Sequence, residues 1–67
     1  MAKIQLNGRK ITIKSKFSIL DLLKKYKLYK KNIAVEHNGT IVQKTNFKKK
    51  YLKNMDKIEI VHFIGGG

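Results

Sequence analysis

The 67-residue sequence has no cysteine, no proline, a single arginine and only four carboxylates. Without cysteine there is no disulfide, no thiolate zinc site, no catalytic thiol and no side chain able to hold a persulfide. The four carboxylates, Asp21, Glu36, Asp56 and Glu59, leave little material for acid–base chemistry. Asp21 suits a helix start and Asp56 a turn. Glu36 and Glu59 stand singly on strands among lysines, where surface ion pairs are expected. All four read as structural. No apolar run approaches the roughly 20 residues of a membrane span. MAKIQLNG alternates from the start, so no secretory leader is expected. The expectation is a cytoplasmic protein, or a stromal one if it is encoded in an organelle, with no membrane contact.

The hydrophobic share of 42% is too high for a disordered chain. The length gives one small domain, near the lower limit of what folds without staples. The net charge of +12 comes from fifteen lysines and Arg9. Nucleic-acid readers favour arginine for its bidentate fork. The lysine excess therefore reads as a solvated surface, including the run Lys48, Lys49 and Lys50, rather than as a nucleic-acid site. Acidic protein partners would still be attracted to it.

Residues 3–7 alternate, with Ile4 and Leu6 on one face. Asn7-Gly8 supplies a tight hairpin turn, and residues 9–14 alternate again through Ile11 and Ile13. Ser18 is a good N-cap, with Asp21 three residues on as a capping-box partner. Ile19, Leu22, Leu23 and Tyr26 recur at helical spacing and predict an apolar stripe on a helix ending near Leu28 to Tyr29. Ile33 to His37, the turn Asn38-Gly39, and Thr40 to Gln43 form a second hairpin. Residues 44–53 are basic and irregular, with room for a short helical turn; Phe47, Tyr51 and Leu52 anchor them. Residues 57–64 read as a last strand, apolar at both parities. The order ββαβ(β)β predicts an α+β domain, a mixed sheet of four to five strands crossed by one main helix. A last strand of this kind belongs inside the sheet beside the first. This is a ubiquitin-like β-grasp arrangement.

Ordinary sites are hard to find. His37 and His62 lie on different strands without further ligands nearby in sequence, so no metal site is expected. The serines and threonines sit in no nucleophile motif, and no glycine-rich loop opens a helix to cradle phosphate. Three of the five glycines are Gly65, Gly66 and Gly67, directly behind the last strand. Glycine without a Cβ threads a narrow channel, and three extended residues span roughly 10 Å. A terminal carboxylate on such a thread is a candidate reactive group, though only after activation, because a free carboxylate is a poor acyl donor.

The stretch from Val35 to Val42 (VEHNGTIV), the run from Ile58 to Gly67 (IEIVHFIGGG) and the β-grasp order together resemble the ThiS family, the sulfur carriers of thiamine biosynthesis. The resemblance covers essentially the whole chain. It implies a folded body over 1–64, a flexible tail over 65–67, and a protein co-substrate rather than an enzyme. An E1-like adenylating enzyme of the ThiF type would activate the Gly67 carboxylate with its own ATP and magnesium. Sulfur from a donor such as a cysteine desulfurase system would then give a C-terminal thiocarboxylate. A thiazole synthase of the ThiG type would take that sulfur into the thiazole ring. Gly65 and Gly66 would be the thread; Phe63, Ile64 and His62 would contact the partner. A Gly-Gly end is shared with molybdopterin-type carriers and ubiquitin-like modifiers, so both stay open, as does a small basic RNA-binding module with an idle tail. The family commonly places Gly-Asp before its last strand. Here the pair is Met55-Asp56, so a positive φ at that turn would fall on Met55.

Overall fold

A computed structural model describes residues 1–28 and 32–62. The elements are β1 (Ala2–Leu6), β2 (Arg9–Ile13), α1 (Ile19–Lys25), β3 (Ile33–His37), β4 (Thr40–Val42), a 3₁₀ turn (Lys44–Asn46) and β5 (Lys57–His62). They form one five-stranded sheet in the order β2-β1-β5-β3-β4. The two hairpins, β1–β2 and β3–β4, are antiparallel; β5 lies between them, parallel to β1 and antiparallel to β3. The last strand thus occupies the middle of the sheet, as its double-sided apolar pattern predicts.

Alternation fixes which face is covered. Ile4, Ile13, Val35, Val42, Ile58 and Ile60 turn inward and are buried. They meet Ile19, Leu22 and Leu23 of α1, each with no exposed surface. Burying a side chain of this size contributes roughly 1.5–3 kcal/mol. Phe47 and Leu52 close the same core from the long connection. Their backbones tie that connection to the helix start: the Leu20 amide donates to the Phe47 carbonyl at 3.0 Å and the Leu52 amide to the Phe17 carbonyl at 2.8 Å.

The helix begins as its sequence dictates. The Asp21 amide donates to Ser18 Oγ at 3.0 Å, and the Ser18 amide donates to Asp21 Oδ2 at 2.9 Å, a complete capping box. The backbone hydrogen bond from Ser18 leads the causes that lower the Asp21 pKa, followed by the Ser18 side chain; burial opposes them and Lys24 assists.

Its end departs from expectation. The helix stops at Lys25 and is capped by Tyr26. The Lys27 amide donates to the Lys24 carbonyl at 3.0 Å and the Leu28 amide to the Leu23 carbonyl at 2.7 Å, with Lys27 at φ 58°. This is a Schellman closure, which carries Leu28 back onto the core. Tyr26 falls at the cap instead of on the stripe and is 41% exposed. Tyr51 is likewise exposed: its backbone bridges to Ser18, while its neighbour Leu52 supplies the buried anchor.

Candidate functional site

Both hairpins turn on Asn-Gly with positive φ at each central residue: 50° and 83° at Asn7-Gly8, 51° and 85° at Asn38-Gly39. Leu6 faces Arg9 and His37 faces Thr40 across these two-residue turns, which makes them the type I′ turns that match strand twist. Each asparagine does a second job. The Ile60 amide donates to Asn7 Oδ1 at 2.7 Å, while the Asn7 amide donates to the Ile58 carbonyl at 2.9 Å. On the other side the Lys57 amide donates to Asn38 Oδ1 at 2.8 Å, and the Asn38 amide donates to the Lys57 carbonyl at 2.8 Å. The turns of both hairpins therefore grip β5 from its two flanks.

Asp56 completes the grip just before the strand. One of its oxygens accepts from Asn38 Nδ2 at 3.0 Å; the other accepts from the Lys53 amide at 2.8 Å and lies 2.8 Å from His37 Nε2. A carboxylate only accepts, so the His37 contact requires a proton on Nε2. Burial pushes the Asp56 pKa up, but hydrogen bonds from His37, Asn38 and the Lys53 amide, with attraction to His37, outweigh it and leave the pKa lowered. The sequence offered Asp56 as a turn residue and His37 as a histidine without partners; the fold makes them a pair. A His–Asp pair is half of a hydrolytic relay. Among the described residues no hydroxyl is hydrogen-bonded to His37 to complete one, and no group of three or more His, Asp or Glu could hold a metal.

The Met55 amide donates to the Lys3 carbonyl at 2.7 Å, and the Lys3 amide donates to Asn54 Oδ1 at 2.9 Å. Met55 has φ 75° and its side chain is 82% exposed, so the strain anticipated at this turn is real. It sits where a glycine would be relaxed.

The far end of β5 is held differently. β1 pairs with β5 only at Lys57 and Ile58, whereas β3 pairs with it from Ile58 through His62. Val61 and His62 are exposed, and His62 faces Ile33 at the last position of the strand. Phe63, Ile64, Gly65, Gly66 and Gly67, the other residues singled out from the sequence, lie outside the described residues.

The ThiS family model matches residues 4–67. The chain belongs to the ThiS family. It is 43% identical over 65 residues to the sulfur carrier protein ThiS of Bacillus subtilis, covering 96% of this chain and 98% of that one. The crystal structure of the thiamine biosynthesis protein ThiS from Geobacter metallireducens superposes with a TM-score of 0.83 at 26% identity, over 97% of this chain and 99% of that one. The ubiquitin-like β-grasp fold expected of a ThiS-family member is thereby shown. A thiazole synthase of Paramagnetospirillum magneticum also matches, 34% identical over 65 residues; the match takes in 97% of this chain but 20% of that protein. A ThiS-like segment is thus part of a larger thiazole synthase chain.

Proposed function

We propose that this protein carries sulfur for thiamine biosynthesis on the carboxyl group of Gly67. The observation that carries the reading is full-length similarity to a sulfur carrier protein, joined to a chain that contains no cysteine. A carrier without a thiol has no side chain for a persulfide, so its sulfur belongs on a backbone carboxyl group.

The chemistry follows from what a carboxylate lacks. Its charge repels nucleophiles and oxide is a poor leaving group. Attack of the Gly67 carboxylate on the α-phosphorus of ATP releases pyrophosphate and gives an acyl adenylate. A sulfide equivalent then displaces AMP and leaves the thiocarboxylate. ATP and magnesium belong to an E1-like adenylating enzyme, and the sulfide equivalent to a donor such as a cysteine desulfurase system. Thiazole synthase is the acceptor. The ThiS-like segment within one thiazole synthase supports this partnership, since it keeps a donor domain beside the enzyme that would consume its sulfur. The protein itself is a co-substrate working in the cytoplasm or stroma. The firm base of β5 supports that role by giving the residues beyond it a fixed point of departure.

Intact-mass measurement tests this. Incubation with a ThiF-type adenylating enzyme, ATP, magnesium and a sulfide donor is expected to give a species heavier by one oxygen-to-sulfur exchange. One residue added after Gly67 is expected to abolish it. Absence of the heavier species from the wild type, or isopeptide adducts in its place, overturns the carrier reading.

A further inference from the structure

The sheet has two edges, and they are unequal. β4 offers three residues at one edge, whereas β2 offers five at the other, Arg9–Ile13. In a two-residue hairpin the residues flanking the turn form a hydrogen-bonded pair, and such pairs recur at every second position. Arg9, Ile11 and Ile13, opposite Leu6, Ile4 and Ala2, therefore direct their backbone groups to β1. Lys10 and Thr12 direct theirs out of the sheet. β2 pairs with β1 alone, and among the described residues no backbone group meets Lys10 or Thr12 from outside. Two donors and two acceptors thus stand in line for one more strand.

An open groove lies beside this edge, between β2 and α1. It is lined by Met1, Thr12, Ile13, Lys14, Phe17 and Lys25, with Ile13 buried, Phe17 half-buried and both lysines exposed. The other side of the edge is basic too: Lys10 and, across from Thr12, Lys3 are exposed on the face turned away from the helix. β1 and β2 hold no carboxylate side chain. Glu36 and Glu59, which share that outer face, are Cα partners across β3 and β5, beyond β1. The edge therefore combines unpaired backbone, an apolar groove on one side and positive charge on both.

Lysine on an edge strand guards it against pairing with copies of itself. A second copy adding its own β2 would set lysines against lysines. The same lysines favour a strand of opposite charge, so the guard acts as a filter. We infer that β2 accepts a strand from a protein partner, an extended segment in which apolar and acidic residues alternate. Its backbone completes the hydrogen bonds of Lys10 and Thr12, and its successive side chains point to opposite faces. The apolar set settles over Ile13 and Phe17, while the acidic set runs along Lys3 and Lys10, with Lys14 and Lys25 at the groove's rim. A basic strand is repelled, and an acidic segment without alternation serves only one of the two faces. This docking goes beyond the carrier reading and uses an edge that β1 separates from β5.

The probe is a capped heptapeptide in which four glutamates alternate with three valines. Two controls accompany it: the same residues as a glutamate block followed by a valine block, and the alternating peptide with lysine for glutamate. Titration of the isotope-labelled protein is expected to give saturable shifts at β2, Phe17 and Lys25, with slowed hydrogen exchange at the Lys10 and Thr12 amides. The block peptide is expected to bind about tenfold more weakly or less, and the lysine peptide not at all. The double variant K10E/K14E is expected to lose about tenfold in affinity for the glutamate peptide and to gain the lysine peptide. Thr12→Pro removes one outward donor while leaving the ladder to β1 intact, and is expected to abolish binding; thermal unfolding checks that the variant is folded. If it is not, K10E/K14E decides the matter. Absence of saturable binding, shifts centred on Lys44 to Lys50, equal affinity for the block peptide, or an unchanged K10E/K14E overturns the inference and leaves the edge merely guarded. None of these readouts involves Gly67, so the carrier reading stands or falls separately.

Discussion

The two ends of β5 are built by different rules. At its entry, β1, both Asn-Gly turns and Asp56 converge on Lys57 and Ile58, and Ile58 is 1% exposed. At its exit, β3 alone among the described residues pairs with the strand, and Val61 is half exposed. One strand thus combines a rigid root with an accessible end. Asn7 marks the boundary: β1 pairs no further than Leu6, and the Asn7 side chain takes the Ile60 amide in place of a strand partner. The proposed function calls for both properties, since the Gly67 carboxyl group would have to reach a partner's active site while the body keeps it in register.

Breaking the root is expected to be costly. Ile58→Ala removes a fully buried side chain from the middle of the sheet and is expected to cost about 2–5 kcal/mol in urea unfolding. Val61→Ala, three residues on, is expected to stay within about 0.5 kcal/mol. If the two substitutions cost the same, the contrast between root and exit is wrong.

The clasp comes next. Asp56→Ala leaves the Lys53 amide, Asn38 Nδ2 and His37 without their shared acceptor, and is expected to cost about 1–3 kcal/mol. It also carries a pH signature. The folded pKa of Asp56 is lowered, so its contribution is present above the unfolded value of about 3.9 and is lost as pH falls through the folded value. Stability measured from pH 6 downward is expected to decline more steeply below about pH 4 in the wild type than in the Asp56→Ala variant.

The two asparagines can be separated by glycine, which keeps the positive φ and deletes only the side chain. Asn38→Gly loses two side-chain hydrogen bonds and Asn7→Gly loses one; at about 1 kcal/mol each, the first is expected to be the worse by roughly that amount. Hydrogen exchange sharpens the point, because Asn7→Gly is expected to deprotect the Ile60 amide selectively. The smallest effect is a gain: Met55→Gly relieves the left-handed strain and, after the entropy of a freer unfolded chain, is expected to stabilise by at most about 1 kcal/mol.

What could be read from the sequence was whatever is local. Asn7-Gly8 and Asn38-Gly39 announce turns, Ser18 and Asp21 announce a helix start, and a strand apolar at both parities announces its central place. What could not be read depends on which distant segments come to lie side by side. The Ile60 amide meets an asparagine 53 positions away, and no local pattern contains that. Glu36 and Glu59 looked like lone charges awaiting lysines because nothing in the sequence sets the register between β3 and β5. Tyr26 was misplaced on the core by spacing alone; the Schellman closure, formed around a lysine where glycine is usual, ended the helix one turn early. The family was legible through the run IEIVHFIGGG, but the clasp on β5 built by Asn7, Asn38 and Asp56 was not.

The central position of β5 also has a temporal consequence. A chain leaves the ribosome from its N-terminus, so the two hairpins and the helix are made before the strand that joins them. Until β5 arrives, β1 and β3 have no common neighbour, and Ile4 and Val35 lack the strand that completes their layer. Pairing at such large sequence separation is slow and comes late in folding. The body therefore closes only when its last strand has been added, and everything made before β5 waits on it.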